Sequence, residues 1–162
     1  MDQLTLGVIG TSEKTDEQRV PIHPHHLSRI PESVRRQLIF EEGYGARFDI
    51  ADAELAALSG GVASRHEILA DLGAAIVLKP VTADLNELRE GGILWGYVHC
   101  VQQRALTQAA LDRKLTLIAF EDMFVWGPHG QVGRHTFYKN NEMAGYCAVL
   151  HALQLKGIDG HY

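Results

Sequence analysis

The feature that most constrains this chain is a rhythm. Short apolar runs, each stopped by a glycine, a proline or a charged residue, alternate with stretches of helical pattern. Residues 4–9 (LTLGVI), 38–41 (LIFE), 74–78 (AAIVL), 93–98 (ILWGYV) and 115–120 (LTLIAF) read as strands. Runs this continuous suit strands covered on both faces, because a strand wet on one side alternates polar and apolar residues. Helices are predicted at 51–58, 64–72, 82–89, 102–112 and 141–155. Ser64 with Glu67 three residues later forms a capping box. Apolar positions 105, 106, 109 and 110 share one helix face. Gly157 supplies a cap for the last helix. The alternation predicts an α/β fold: a three-layer, Rossmann-like (flavodoxin-like), mostly parallel sheet with helices on both faces.

Composition narrows the class. The 162 residues suffice for one domain with a real core. The net charge of −5 and scattered basic residues speak against a nucleic-acid partner. No apolar run approaches the roughly 18 residues that span a bilayer, so no membrane role is expected. Cys100 and Cys147 lack a CxxC spacing, and MDQLTLGVIG lacks a basic, long-apolar signal segment. A reduced, cytoplasmic protein is the expectation. No G-x-G-x-x-G occurs, and the glycines of GVIGTSEK (7–14) are wrongly spaced for it. No cofactor-binding residues are therefore expected in this chain. The ending GIDGHY reads as a loop leading onward.

The residues able to do chemistry cluster after strands, where open α/β sheets keep their sites. Arg19, in the turn-rich segment after the first strand, reads as a fork for a carboxylate oriented by Glu17, or as a solvated arginine. Lys79 ends an apolar run and is fixed by Pro80. Partial burial would lower its pKa and suit it to proton transfer; the bland alternative is a lysine reaching water. His99 ends the next run, one helical crossover later, so parallel pairing would put it beside Lys79. Alone it reads as a core histidine; with Lys79 it reads as half of an acid–base pair. HPHH (23–26) admits a metal reading, but it lacks Cys or carboxylate at ligand spacing and reads more simply as a helix start. Lys139 and Asn140 precede the last predicted helix, either as a second edge of the crevice or as part of a capped end.

Taken in order, E-x-R-V-P (17–21), EEGYG…F (41–48), V-L-K-P (77–80), ILW…H (93–99), I-A-F-E (118–121) and N-E-M-A-G (141–145) resemble a known family. It is the N-terminal domain of the alanine dehydrogenase and pyridine-nucleotide transhydrogenase family, which also includes saccharopine dehydrogenases. EEGYGARFDIAD, LREGGILWGYVH and YKNNEMAGYCAVLHAL look most like the enzymes of the N(5)-(carboxyethyl)ornithine synthase type.

The resemblance implies an oxidoreductase that joins a 2-oxo acid such as pyruvate to ammonia or a side-chain amine. NAD(P)H would be held mainly by a second domain outside this chain. It implies Lys79 and His99 as the catalytic pair and Arg19 as the carboxylate clamp. Glu17 would orient Arg19, Tyr97 would line the pocket, and Glu121 would lie at the hinge toward the cofactor domain. Residues 1–140 would be the substrate-binding domain, and 141–162 the connecting helix and the start of a linker. A homo-oligomer, or a partner chain carrying the NAD-binding domain, is implied as well. A stand-alone oxo-acid or amino-acid binding module is the alternative.

Overall fold

The computed structural model describes residues 4–158; residues 1–3 and 159–162, the latter including most of GIDGHY, lie outside the described residues. The chain divides into two compact units after Glu121. The first contains a parallel sheet of β1 (Leu6–Val8), β2 (Leu38–Glu41), β3 (Gly61–Ala63), β4 (Ala74–Ile76), β5 (Ile93–Gly96) and β6 (Thr116–Ala119). Their spatial order is β3-β2-β1-β4-β5-β6. All five neighbouring pairs are parallel.

Strand alternation divides the core between the two faces. Val8, Leu38, Phe40 and Leu55 belong to one cluster, while Ile9, Ala75, Val77, Leu94 and Leu106 belong to the other. The single turn α1 (Glu32–Arg35), α2 (Asp52–Leu58), α3 (Thr82–Glu87) and α4 (Arg104–Asp112) lie between the strands. The segment led by the Ser64–Glu67 capping box is a π-helix over Glu67–Leu72. Ser64 N–H and Oγ–H donate to Glu67 Oε2 at 2.8 and 2.6 Å, and Glu67 N–H donates back at 3.3 Å. The α/β, Rossmann-like architecture is therefore as the apolar rhythm requires.

β3 is the strand the sequence concealed. GVA at 61–63 is too short and too small to register as an apolar run, and its place at the sheet edge demands little. The second unit contains a hairpin of β7 (Phe124–Trp126) and β8 (Val132–His135), then α5 (Tyr138–Leu155). α5 starts three residues before its predicted start. Lys139 and Asn140 therefore lie in its first turn rather than ahead of it, and Lys139 Nζ pairs with Glu142 at 2.8 Å. Among the described residues, no helix is long and apolar enough to cross a membrane.

Candidate active site at the topological switch point

The sheet order makes one location special. From β1 the chain runs outward to β2 and β3, then crosses back to β4 and continues outward the other way. The connections leaving β1 and β4 thus part in opposite directions and leave a crevice at the strands' carboxyl ends. A cavity of about 200 Å³ lies there, lined by Lys14, Lys79, Pro80, Tyr97, His99 and Gln103, among others.

Three backbone features aim those side chains. First, the ladder continues past the strands: Val77 N–H donates to Trp95 O at 3.0 Å and Tyr97 N–H to Leu78 O at 3.0 Å. Second, Gly96 allows the close approach. A Cβ there would stand 2.0 Å from Val77 O and 3.1 Å from Pro80 Cδ, so any side chain would pry the Lys79 segment from the Tyr97 segment. Third, β5 ends at Gly96 and His99 takes a left-handed backbone with φ 45°. Such a conformation costs on the order of 1–3 kcal/mol in a residue with a side chain and marks a position fixed by its surroundings. Glu121 Oε1 accepts the His99 N–H at 2.5 Å and stands 3.7 Å from His99 Nδ1. The N–H groups of Gln102 and Gln103 close on His99 O at 2.9 and 3.0 Å. Tyr97 stacks on the imidazole, with centroids 5.9 Å apart at 21°, and meets Phe120 edge-on at 5.3 Å. Burial pushes the Tyr97 phenol up; the Arg19 charge opposes this, while the Glu121 charge adds to it.

Glu17 and Arg19 form a fork on the neighbouring loop. Arg19 Nε and Nη2 donate to the two Glu17 oxygens at 2.8 and 2.6 Å, and Arg19 N–H adds a third bond at 3.0 Å. The Glu17 side chain is only 6% exposed and that of Arg19 46%. Hydrogen bonding from Arg19 holds the Glu17 carboxyl down at about 2, against burial, with a smaller pull from the Lys79 charge. Charge therefore couples this loop to Lys79 and Tyr97, although neither Glu17 nor Arg19 lines the 200 Å³ cavity. Glu17 instead lines a second cavity of about 380 Å³, beside the ends of β1 and β2.

Of the six candidates, Lys79, Tyr97 and His99 share the cavity wall, Glu121 holds His99, and Glu17 and Arg19 stand on the adjoining loop. Sequence reasoning missed Lys14 and Gln103 in the wall. It also missed Arg65, whose guanidinium donates to Asp84 at 2.5 Å, Glu87 at 2.8 Å and Thr11 Oγ at 3.0 Å. Asp84, wholly buried, accepts the Val81 N–H at 2.6 Å, so Arg65 ties the loop after β1 to the turn after Lys79-Pro80. No local pattern around Arg65 or Asp84 in the sequence hinted at this tie. HPHH opens a short 3₁₀ helix, Pro24–Arg29. The His23 ring packs on Phe48 at 4.4 Å and on His25 and His26 at 5.2 and 5.1 Å. Partial burial and those two rings lower its pKa. No group of three or more His, Cys, Asp or Glu among the described residues is arranged to hold a metal ion.

Residues 9–126 match the family described as "Alanine dehydrogenase/PNT, N-terminal domain". The chain belongs to this family. It is 29% identical over 155 residues to an N(5)-(carboxyethyl)ornithine synthase of Lactococcus lactis subsp. lactis, covering 88% of this chain and 47% of that protein. It is 33% identical over 117 residues to an alanine dehydrogenase of Mycobacterium tuberculosis, covering 70% of this chain and 31% of that one. The chain thus spans about half the length, or less, of the curated relatives it matches. Among solved structures, an L-alanine dehydrogenase superposes with a TM-score of 0.60 at 22% identity, over 78% of this chain and 34% of the other. A transhydrogenase from Sinorhizobium meliloti gives 0.59 at 16%, over 74% and 35%. These two likenesses establish the fold.

Proposed function

We propose that this chain is the substrate-binding domain of an amino-acid dehydrogenase that makes a C–N bond by reductive amination of a 2-oxo acid. The observation that carries the reading is the convergence of Lys79, Tyr97 and the strained His99 on one cavity at the switch point. In this reading Arg19, fixed by Glu17, presents its outer edge to the oxo acid's carboxylate. An amine adds to C2. Lys79 Nζ and the His99 imidazole move the protons: one onto the carbonyl oxygen, one off the nitrogen, and one onto the hydroxyl that leaves as water. Tyr97 walls the pocket and keeps the imidazole face in place. Glu121 positions His99.

The chain does not fit a dinucleotide at its own first turn. Glu41 Oε2 already accepts the N–H groups of Gly10 and Thr11 at 2.7 Å each, the donors a pyrophosphate would need there. NAD(P)H therefore belongs to the proposal as a cofactor of a domain outside residues 1–162, and the redox step lies with that domain. Residues 1–140 serve as the substrate domain and 141–162 as connector, in a cytoplasmic homo-oligomer or with a partner chain that supplies the cofactor domain. The exposed apolar side chains of α5, including Met143, Leu150 and Leu155, support a connector that other protein covers.

Calorimetry tests the reading. This chain should bind pyruvate weakly and NADH not at all, and Lys79→Met should abolish the pyruvate heat. Tight NADH binding would overturn the assignment of the cofactor to another domain. Pyruvate binding unaffected by Lys79→Met would overturn the site. Pyruvate binding with no NADH oxidation by the full-length protein would favour the non-catalytic binding module.

A further inference from the structure

Reductive amination sets a demand that the sheet does not meet by itself. In a 2-oxo acid one bond joins the carboxylate to the carbonyl carbon. A group holding the first and a group acting on the second must therefore keep a fixed separation, and a misplacement of about 1 Å can cost about 10² in rate. Arg19 and Lys79 stand on opposite banks of the crevice, one on the loop after β1 and the other just after β4. Arg19 hydrogen bonds hold the Glu17 carboxyl low, and the Lys79 charge across the crevice adds to them. Ile9 N–H donates to Ile76 O at 3.0 Å, and beyond that bond the two segments part. The loop's bonds with Glu41, Tyr44 and Arg47 then run to the β2 side of β1, whereas Lys79 lies on the β4 side.

Arg65 spans the gap. It follows β3 and leads into the π-helix that returns the chain to β4. Its Nη1 donates to Thr11 Oγ at 3.0 Å on the β1 bank, and its Nη2 to Asp84 Oδ1 at 2.5 Å on the β4 bank. Nε donates to Glu87 Oε2 at 2.8 Å, further along α3. Each end is anchored in turn. Thr11 Oγ–H donates to Glu41 Oε1 at 2.6 Å, and Asp84 Oδ2 accepts the Val81 N–H at 2.6 Å, two residues past Lys79. The Asp84 side chain is fully buried and that of Arg65 only 19% exposed, so water and salt screen the pair little. Burial pushes the Asp84 carboxyl up, while the Val81 N–H and Arg65 favour its charged form. A lysine could not reproduce the bridge, because a single ammonium lacks the planar fork that reaches partners on two sides.

We infer that Arg65 is a positioning residue for the oxo-acid site: through Thr11 and Asp84 it sets the separation between the Arg19 clamp and Lys79. This rests on the reductive-amination reading. It adds that alignment of the site depends on a side chain outside the lining of the 200 Å³ cavity.

Arg65→Met would strip the buried Asp84 of its cation and endanger the fold, so two milder changes carry the test. Thr11→Val deletes the hydroxyl, whereas Arg65→Lys keeps a positive charge for Asp84 and leaves the Thr11–Glu41 bond in place. In amide NMR titrations of this chain, each should keep a folded spectrum and bind pyruvate about tenfold more weakly, the loss expected for one charged hydrogen bond. Thr11→Ser, which restores the hydroxyl, should bind pyruvate as the unaltered chain does. In the full-length protein Thr11→Val should lower kcat/KM for pyruvate about tenfold and leave the KM for NADH unchanged. A purely structural role would lower the unfolding temperature without that split. Unchanged pyruvate affinity in Thr11→Val or in Arg65→Lys overturns the positioning role, as does a Thr11→Ser variant as weak as Thr11→Val. Pyruvate that shifts no amide of the unaltered chain overturns the reductive-amination reading itself, a result distinct from the others because it needs no variant.

Discussion

Two cavities open at the carboxyl ends of the strands, on either side of the loop after β1, and they are built in opposite ways. The smaller one gathers a lysine, an imidazole and a phenol at the ends of β4 and β5, and holds the imidazole in a strained backbone. The larger one keeps its central carboxylate immobile under three hydrogen bonds and sets an arginine opposite. Strain and titratable groups on one side, against satisfied fixed charge on the other, separate a place suited to moving protons from a place suited to holding a charged molecule. Glu17 stands between: it lines the second cavity while the Lys79 charge of the first helps keep it ionised.

The sharpest way to break this contrast is to remove the two residues proposed to carry protons. Lys79→Met or His99→Ala in the full-length protein should lower turnover by roughly 10²–10⁴. Near-wild-type turnover in both would erase the distinction. Next in size is Gly96→Ala, which forces a methyl against Val77 O. It should cost about 1–3 kcal/mol in thermal or denaturant unfolding and weaken pyruvate binding. Unchanged stability and pyruvate affinity would mean that the Gly96 contact does not hold the smaller cavity together.

Glu121→Ala removes the acceptor of the His99 N–H, and a roughly tenfold fall in turnover is expected from one lost charged hydrogen bond. Glu121→Gln, whose amide oxygen can still accept, should recover most of it. A structural role alone would leave both variants alike in turnover once folded. The smallest effect at neutral pH concerns Glu17. Its folded carboxyl titrates at about 2 against an ordinary 4.5, so the stability it contributes is fully present above 4.5 and is lost as pH falls through about 2. Carbon NMR of the Glu17 carboxyl should find that low midpoint, and Arg19→Gln should return it toward 4.5. An ordinary midpoint in the unaltered chain would show the fork to be loose.

Five of the six parallel strands were legible because each is an apolar run with a hard stop; burial leaves that mark in β1, β2, β4 and β5, while β6, at the far edge, keeps the apolar run LTLIAF although Ile118 is exposed. β3 and the β7–β8 hairpin were not, for lack of the same pressure: GVA at 61–63 lies at an edge, and β7 and β8 carry exposed residues such as Val125, Trp126 and Val132. The nearness of Lys79 and His99 could be read from one right-handed crossover. Arg65 and Glu41 could not. Their partners Asp84 and Thr11 lie 19 and 30 residues away, and no local pattern advertises pairs closed only by the fold.

The sequence by itself determined the layered α/β scaffold and the rank of strand ends on which chemistry could stand, because hydrophobic burial and chain connectivity act through periodicity. Only the tertiary structure decided that Gly96 is a contact point rather than a spacer, that His99 turns left-handed, and that a buried Glu41 faces a second cavity. Those outcomes depend on distances between segments remote in sequence. Steric exclusion and desolvation act on such distances only after the sheet has assembled.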